Sequence, residues 1–311
     1  PDNGRLIFTA SATEAINLAF GAVRGMASQG RDQIAVIDTE HAAVRDTALW
    51  YGKQGFDTVL LPVDGEGLVV LEELEACLSE KTALVGAMLV NNEIGVIQPV
   101  EQIAEMAHRA GALMLCDAVQ GFGRINIPQQ ADLIALSAHK IYGPKGIGAL
   151  WVRNGIDLPP LIHGGGQEQG VRSGTLSPAL CVGLGTAATI CAERRDEDLT
   201  HIAALADEAR SLFGDWTVNG SPDRRYAGNL NLRRDGLDVG RLMSDVRGVA
   251  FSAGSACASG SGRPSHVLAA LGLEPGQIKS SIRLGFGRYN MIEDVQQAAR
   301  LINQAAESQL S

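Results

Sequence analysis

Residues 133–148 read Leu133-Ile134-Ala135-Leu136-Ser137-Ala138-His139-Lys140-Ile141-Tyr142-Gly143-Pro144-Lys145-Gly146-Ile147-Gly148. The first four form an apolar run of strand length. A Ser, a His and a Lys follow, and a Gly/Pro-rich turn then reverses the backbone. A lysine held at a strand end, away from bulk water, can lose its proton and bond a carbonyl carbon as a Schiff base. An isolated lysine at a turn is more often a solvated surface charge. The residues around this stretch decide between the two.

Outward from it, apolar runs of strand length occur at residues 6–9, 34–37, 58–61, 84–90 and 113–116. Helical spacing occupies 11–28, 41–54, 71–78 and 100–110 between them. The alternation predicts an α/β domain with a largely parallel sheet. Ligands of such sheets sit at the carboxyl ends of the strands, where Asp117 and Lys140 fall. Pro159-Pro160 to Gly164-Gly165-Gly166 reads as loop, and one long helix is expected from Pro178 to about Phe213. Beyond Trp216, strands at 217–219, 229–232, 249–252 and 281–284 and helices at 239–246, 265–271 and 292–307 read as a smaller α+β domain. The expected organisation is a large domain over 1–175, a linking helix over 176–213 and a small domain over 214–311.

The chain has 311 residues, 45% hydrophobic and 20% charged, with a formal net charge of −9. Acidic balance without a basic run argues against nucleic acid and anionic membranes as partners. No apolar stretch approaches the ~20 residues that span a bilayer. The opening Pro1-Asp2-Asn3-Gly4-Arg5 does not read as a signal peptide. Five scattered cysteines (Cys77, Cys116, Cys181, Cys191 and Cys257) contain no CxxC. They point away from a disulfide scaffold or a metal site and toward a reducing compartment, the cytoplasm.

Further residues join Lys140. Ser11-Ala12-Thr13-Glu14 has the spacing of a helix start, and the free N–H groups and positive dipole end of a helix N-terminus also suit a phosphate. Asp117 ends an apolar strand, where a carboxylate needs a partner; a protonated pyridine nitrogen is one, a turn cap another. Gln120 lies within reach of the same ligand. His41 follows a strand and can stack on a planar ring or shuttle protons, although a lone His is more often structural. Asn91-Asn92-Glu93 brings two amides to another strand end. Cys257 sits in a Gly/Ser-rich tract, where a thiol is accessible as a nucleophile. Arg283 carries a fork suited to a substrate carboxylate, or to a salt bridge.

These residues resemble a family. Phe8-Thr9-x-Ser11-Ala12-Thr13-Glu14, Thr39-Glu40-His41, Asn91-Asn92-Glu93-Ile94-Gly95, Asp117-Ala118-Val119-Gln120, Ser137-x-His139-Lys140, Arg172-Ser173-Gly174-Thr175, Gly254-Ser255-Ala256-Cys257 and Ser281-Ile282-Arg283 stand in the order found in the cysteine desulfurases. These are pyridoxal 5'-phosphate (PLP) enzymes of the class V aminotransferase superfamily, in the group that serves iron–sulfur cluster assembly. The resemblance implies PLP fold type I, with a mostly parallel seven-stranded sheet in a large domain that lacks the family's N-terminal segment. It implies that L-cysteine becomes L-alanine and that Cys257 takes the sulfur as a persulfide. By the same resemblance Lys140 bonds the cofactor and serves as acid and base, Asp117 pairs with the pyridine nitrogen and His41 stacks on the ring. Asn92 and Gln120 touch the phenolic oxygen, and Ala12, Thr13, Ser137 and His139 hold the phosphate. Thr175 reaches the phosphate of the partner subunit's cofactor in a homodimer, Arg283 binds the substrate carboxylate, and Asn92 also contacts the substrate. An iron–sulfur scaffold or another sulfur acceptor is the implied partner, and cluster iron would meet the chain only at Cys257 during transfer. Other readings of the same fold are a selenocysteine lyase, an aminotransferase, which does not need Cys257, and a non-catalytic partner protein. A plain nucleotide-binding protein would need a GxGxxG or a GxxxxGK loop, which the sequence lacks.

Overall fold

The structure, a computed structural model, describes residues 1–254 and 264–311. The chain forms two compact units, one from Pro1–Pro62, Val69–Val90 and Gln98–Arg195, the other from Val63–Leu68, Asn91–Ile97 and Asp196–Ser311.

The first unit is built on seven strands: β1 (Gly4–Thr9), β2 (Gln33–Ile37), β3 (Asp57–Leu61), β4 (Thr82–Met88), β5 (Leu113–Asp117), β6 (Leu133–Ser137) and β7 (Gly148–Arg153). Their order is β1-β7-β6-β5-β4-β2-β3. From β6 to β3 every pairing is parallel, whereas β7 runs antiparallel to both β1 and β6. Helices α1 (Ala12–Phe20), α2 (Val23–Ala27), α3 (Ala42–Gly52), α4 (Leu71–Cys77), α5 (Val100–Arg109) and α6 (Pro178–Glu193) belong to this unit. All seven residues of β4 and all five of β6 are buried, which is why these strands read as unbroken apolar runs. Ile16 and Phe20 of α1 and Val44 of α3 pack with Ile34, Leu84, Leu115 and Leu133 into one core.

The second unit carries a four-stranded antiparallel sheet, β8 (Thr217–Val218), β9 (Asn229–Arg233), β10 (Ser252–Ala253) and β11 (Ser281–Gly285), in the order β10-β11-β9-β8. Its helices are α7 (Arg195–Leu212), α8 (Val239–Asp245), α9 (His266–Ala270), α10 (Pro275–Lys279) and α11 (Ile292–Leu310). Leu205, Phe213, Leu230, Leu232, Ile282 and Ile302 centre its core.

Several elements differ from expectation. The helix expected over 178–213 is two helices, broken at Arg194, whose φ is −101° and ψ 5°. The reason is local: Asp196, Glu197 and Asp198 fill the first turn of α7 and favour a new helix N-terminus there. The helix over 11–28 is likewise two, α1 and α2, parted at Gly21-Ala22. The strand expected at 249–252 is only Ser252–Ala253, and α10, opened by Pro275, had no counterpart in the sequence reading.

Candidate active site

The carboxyl ends of the first unit's strands meet in register. Met88 lies opposite Asp117, Asp117 opposite Ala135, and Gly148 opposite both Ser137 and Thr9. At or just beyond the ends of β1, β2, β5 and β6 stand Ser11 to Thr13, Glu40 and His41, Gln120, and Ser137 to Lys140.

Asp117 is the last residue of β5 and is 4% exposed. Its Oδ1 accepts the Val119 N–H at 2.9 Å. Burial raises its pKa, while the Val119 N–H and the charges of His41 and Lys140 act to lower it. One buried carboxyl therefore feels both basic residues, although the three are far apart in sequence. His41 caps α3, its Nδ1 accepting the Ala43 N–H at 3.1 Å. That bond leaves the proton of the neutral ring on Nε2. His41 also lines a hollow of about 450 Å³ together with Thr13, Asn17, Asp46, Thr47 and Trp50.

Lys140, half-buried, stands in the 3-10 turn Ala138–Ile141. Tyr142 ends this turn in the left-handed region with φ 66°. Arg124 donates from Nη2 to the Lys140 carbonyl at 2.7 Å and from Nη1 to Gln120 Oε1 at 2.8 Å. It thereby braces the turn and orients the Gln120 amide. Ser137 Oγ and His139 Nδ1 are 2.8 Å apart. Burial, then Lys140 and Lys145, lower the His139 pKa and so favour the neutral ring.

At the start of α1 the Ser11 hydroxyl accepts the Glu14 N–H at 3.2 Å. The Glu14 carboxylate takes the Ala10 N–H at 2.8 Å and pairs with Arg172 Nε at 2.7 Å. Ser11 is thus engaged as the cap, while Thr13 Oγ1 and the first backbone N–H groups belong to an exposed helix start. Gly148 brings the β7 backbone against this start. A Cβ there would lie 2.6 Å from Ser11 C and 2.7 Å from Ala12 N. Thr175 is exposed in the loop before α6.

Asn92 and Arg283 belong to the second unit. Arg283 Nη1 donates to the Asn92 carbonyl at 2.7 Å, so the two residues meet through the backbone. Cys257 lies outside the described residues.

Sequence reasoning missed two contributors. Glu40 is fully buried, with Oε1 accepting the Met88 N–H at 2.6 Å. Burial first, and Asp117 second, push its pKa well above the usual carboxylate range. A carboxylate following an apolar strand was the available signal, the same one that marked Asp117. Arg124 stands four residues after Gln120, a spacing that brings the two side chains together but does not reveal the Lys140 carbonyl.

A mostly parallel sheet of this order, with a lysine after β6 and a buried acid ending β5, defines an α/β protein of the PLP fold type I class. The chain belongs to the aminotransferase class-V family, whose profile it matches over residues 1–298. It is 41% identical over 310 residues to a mitochondrial cysteine desulfurase of Saccharomyces cerevisiae, which covers 97% of this chain and 62% of the yeast protein. It is 40% identical to the cysteine desulfurase IscS of Rickettsia bellii, over 96% of this chain and 75% of that protein. The chain thus spans less than two thirds of the yeast relative's length. A solved NifS-like protein superposes with a TM-score of 0.90 at 31% identity, over 97% of this chain and 82% of that one.

The residues of the first unit suit PLP. A buried carboxyl close to two basic groups matches a protonated ring nitrogen beside a carbonyl-bonding amine. The small Ala12 and Gly148, with the hydroxyls of Thr13 and Ser137, leave room and donors for a phosphate.

Proposed function

We propose that the chain is a PLP-dependent cysteine desulfurase, which takes L-cysteine to L-alanine and passes the sulfur to Cys257 as a persulfide. The observation that carries this reading is the gathering of Asp117, His41 and Lys140 at the strand ends of the first unit. The names of the relatives support the choice of cysteine as substrate.

When bound, PLP supplies an aldehyde for an amine and an electron sink that weakens the bonds of the attached amino acid. In this reading Lys140 Nζ would be the amine that holds the cofactor's aldehyde and, when not so engaged, would donate and accept protons beside the substrate. Asp117 would pair with the pyridine nitrogen and favour its protonated form. The His41 ring would pack on the cofactor ring, and its Nε2–H could take part in proton transfer. Ala12 N–H, Thr13, Ser137 and His139 would hold the phosphate, and Thr175 would reach that of the partner subunit's cofactor in a homodimer. Gln120 would donate to the phenolic oxygen; in the second unit, the family resemblance assigns Asn92 to the cofactor and substrate and Arg283 to the substrate carboxylate. The Cys257 thiolate would attack the substrate sulfur, forming an S–S bond as the substrate's C–S bond breaks and its electron pair stays with the carbon skeleton that is protonated to alanine; an iron–sulfur scaffold or another acceptor protein would then take the outer persulfide sulfur. We place the chain in a reducing compartment, the cytoplasm, where such a thiol survives. No helix among the described residues is long and apolar enough to cross a membrane.

Alanine formed from cysteine by the cofactor-loaded chain tests this directly, and its absence would refute the reading. Cys257→Ser should abolish sulfide release and keep the cofactor absorbance; unchanged release would remove Cys257 from the reaction. Lys140→Ala should abolish the absorbance band of the lysine-bound cofactor, and a persisting band would place the attachment on another residue.

A further inference from the structure

Within the first unit, the loop over 162–175 is fastened to β1 and to the start of α1 by side chains. Arg5 Nη1 donates to Gln169 Oε1 at 2.7 Å, and the Phe8 N–H donates to Glu168 Oε2 at 3.0 Å. Arg172 holds Glu14 with its fork, Nε to Oε1 at 2.7 Å and Nη2 to Oε2 at 3.3 Å. Inside the loop the Ser173 N–H donates to the Ile162 carbonyl at 3.1 Å and the Gly174 N–H to Gln167 Oε1 at 2.9 Å. Glu168 and Gln169 have φ of 50° and 58°, a left-handed backbone that residues with a Cβ avoid. Such strain persists only where the surroundings over-determine it, and the two strained residues are the ones whose side chains hold β1. What the loop thereby brings to α1 is the Arg172 guanidinium.

The start of α1 has an electrostatic conflict that this guanidinium resolves. α1 opens at Ala12, and its first N–H groups, with Thr13, are the donors assigned above to the cofactor phosphate. Glu14 is the next residue. A carboxylate in the first turn suits the helix, because it faces the positive dipole end. The same charge repels a phosphate dianion bound at that end. Glu14 is also fixed in place, since its Oε2 accepts the Ala10 N–H at 2.8 Å. The Arg172 and Glu14 side chains are 16% and 15% exposed, so water and salt screen the carboxylate only partly. A two-pronged guanidinium cancels its charge at contact distance.

We propose that Arg172 is a positioning residue that neutralises Glu14 at the start of α1, and so permits a phosphate dianion to bind there. The proposal rests on the PLP reading above and names the residue that makes its phosphate site electrostatically competent.

The test compares PLP with pyridoxal, the same aldehyde without the phosphate, on the full chain. Each is titrated by the absorbance band of the lysine-bound form, and the ratio of the two dissociation constants isolates the phosphate. In Arg172→Gln, which leaves Glu14 uncancelled, the preference for PLP should fall about tenfold while pyridoxal affinity stays within about threefold. Adding Glu14→Gln, whose amide oxygen can still accept the Ala10 N–H, should restore most of the preference, the mark of a coupled pair. An undiminished preference in Arg172→Gln would overturn the proposal. So would equal losses of PLP and pyridoxal affinity, which a merely structural role produces, or a double variant no better than Arg172→Gln. Should Arg172→Gln fail to fold, Glu14→Gln alone decides. It leaves the Arg172 charge uncancelled beside the site, so the preference for PLP should rise severalfold, and an unchanged or lower preference overturns the proposal. A parent chain that binds PLP no more tightly than pyridoxal would defeat the phosphate assignment itself and the proposal with it. A parent that prefers PLP and forms alanine from cysteine, with Arg172→Gln unaltered in preference, would defeat the proposal alone.

Discussion

Replacing Gly148 by Ala adds one methyl group where β7 meets the start of α1 and the end of β6. The new Cβ would lie 2.6 Å from Ser11 C, 2.7 Å from Ala12 N and 2.7 Å from Leu136 O. Ordinary contact begins at 3.4 Å, so these neighbours must retreat by roughly 0.8 Å. All three atoms are backbone, and no flexible side chain can absorb the shift. Overpacking costs about 1–3 kcal/mol, and this site belongs near the upper end, about 3 kcal/mol. The strain falls on the helix start assigned to the cofactor phosphate, so PLP affinity should drop along with stability. Urea unfolding of the cofactor-free protein and an absorbance titration with PLP measure the two effects. Gly25→Ala is the internal control. Gly25 lies inside α2 with no heavy atom within 4 Å of its added Cβ, and the same chemical change there should stabilise by about 0.5–1 kcal/mol. A Gly148→Ala protein that matches the parent in stability and PLP affinity would refute the assignment of this contact.

Arg124→Ala removes the donors to Gln120 Oε1 and the Lys140 carbonyl. A hydrogen bond to a charged group is worth about 1.5–3 kcal/mol, so both stability and cofactor affinity should fall, as read by urea unfolding and PLP titration. Glu40 gives a pH signature. Its raised pKa means that the folded chain keeps a proton which the unfolded chain loses near the ordinary value of 4.5. Its contribution is complete below that value and is lost as pH rises toward the folded pKa, at up to about 1.4 kcal/mol per pH unit. Asp117, also raised, acts with the same sign. Glu40→Gln cannot ionise, and its unfolding free energy should fall less steeply than the parent's between about pH 5 and pH 8. Parallel slopes in urea titrations across this range would show that Glu40 ionises normally.

The parallel strands of the first unit were legible because burial on both faces writes them as apolar runs; β4 and β6 are the plainest cases. β7 was not read from its residues. It is an antiparallel return after a glycine-rich turn, and its place in the sheet depends on pairing with β1 and β6. The long helix over 178–213 misled because helical spacing continues through Arg194, while the acidic start of α7 marks a fresh N-terminus. Asp117, His41 and Lys140 were visible as polar residues ending apolar runs. Arg124 and Glu40 were not visible in their roles, since their partners are a backbone carbonyl and a backbone N–H supplied by other strands and turns.

By itself the amino-acid order determined which residues stand at strand ends, for the switch from an apolar run to Ser, His, Asp or Lys is a local property of the chain. Tertiary structure alone decided which of those ends are neighbours. The order β1-β7-β6-β5-β4-β2-β3 sets Met88 beside Asp117 and joins Thr9 and Ser137 through Gly148. It also sets how charged each group is, because proton affinity follows burial and the partners that burial brings within reach. Strand adjacency arises from pairing between distant segments, and that pairing leaves no trace in the local periodicity of any one of them.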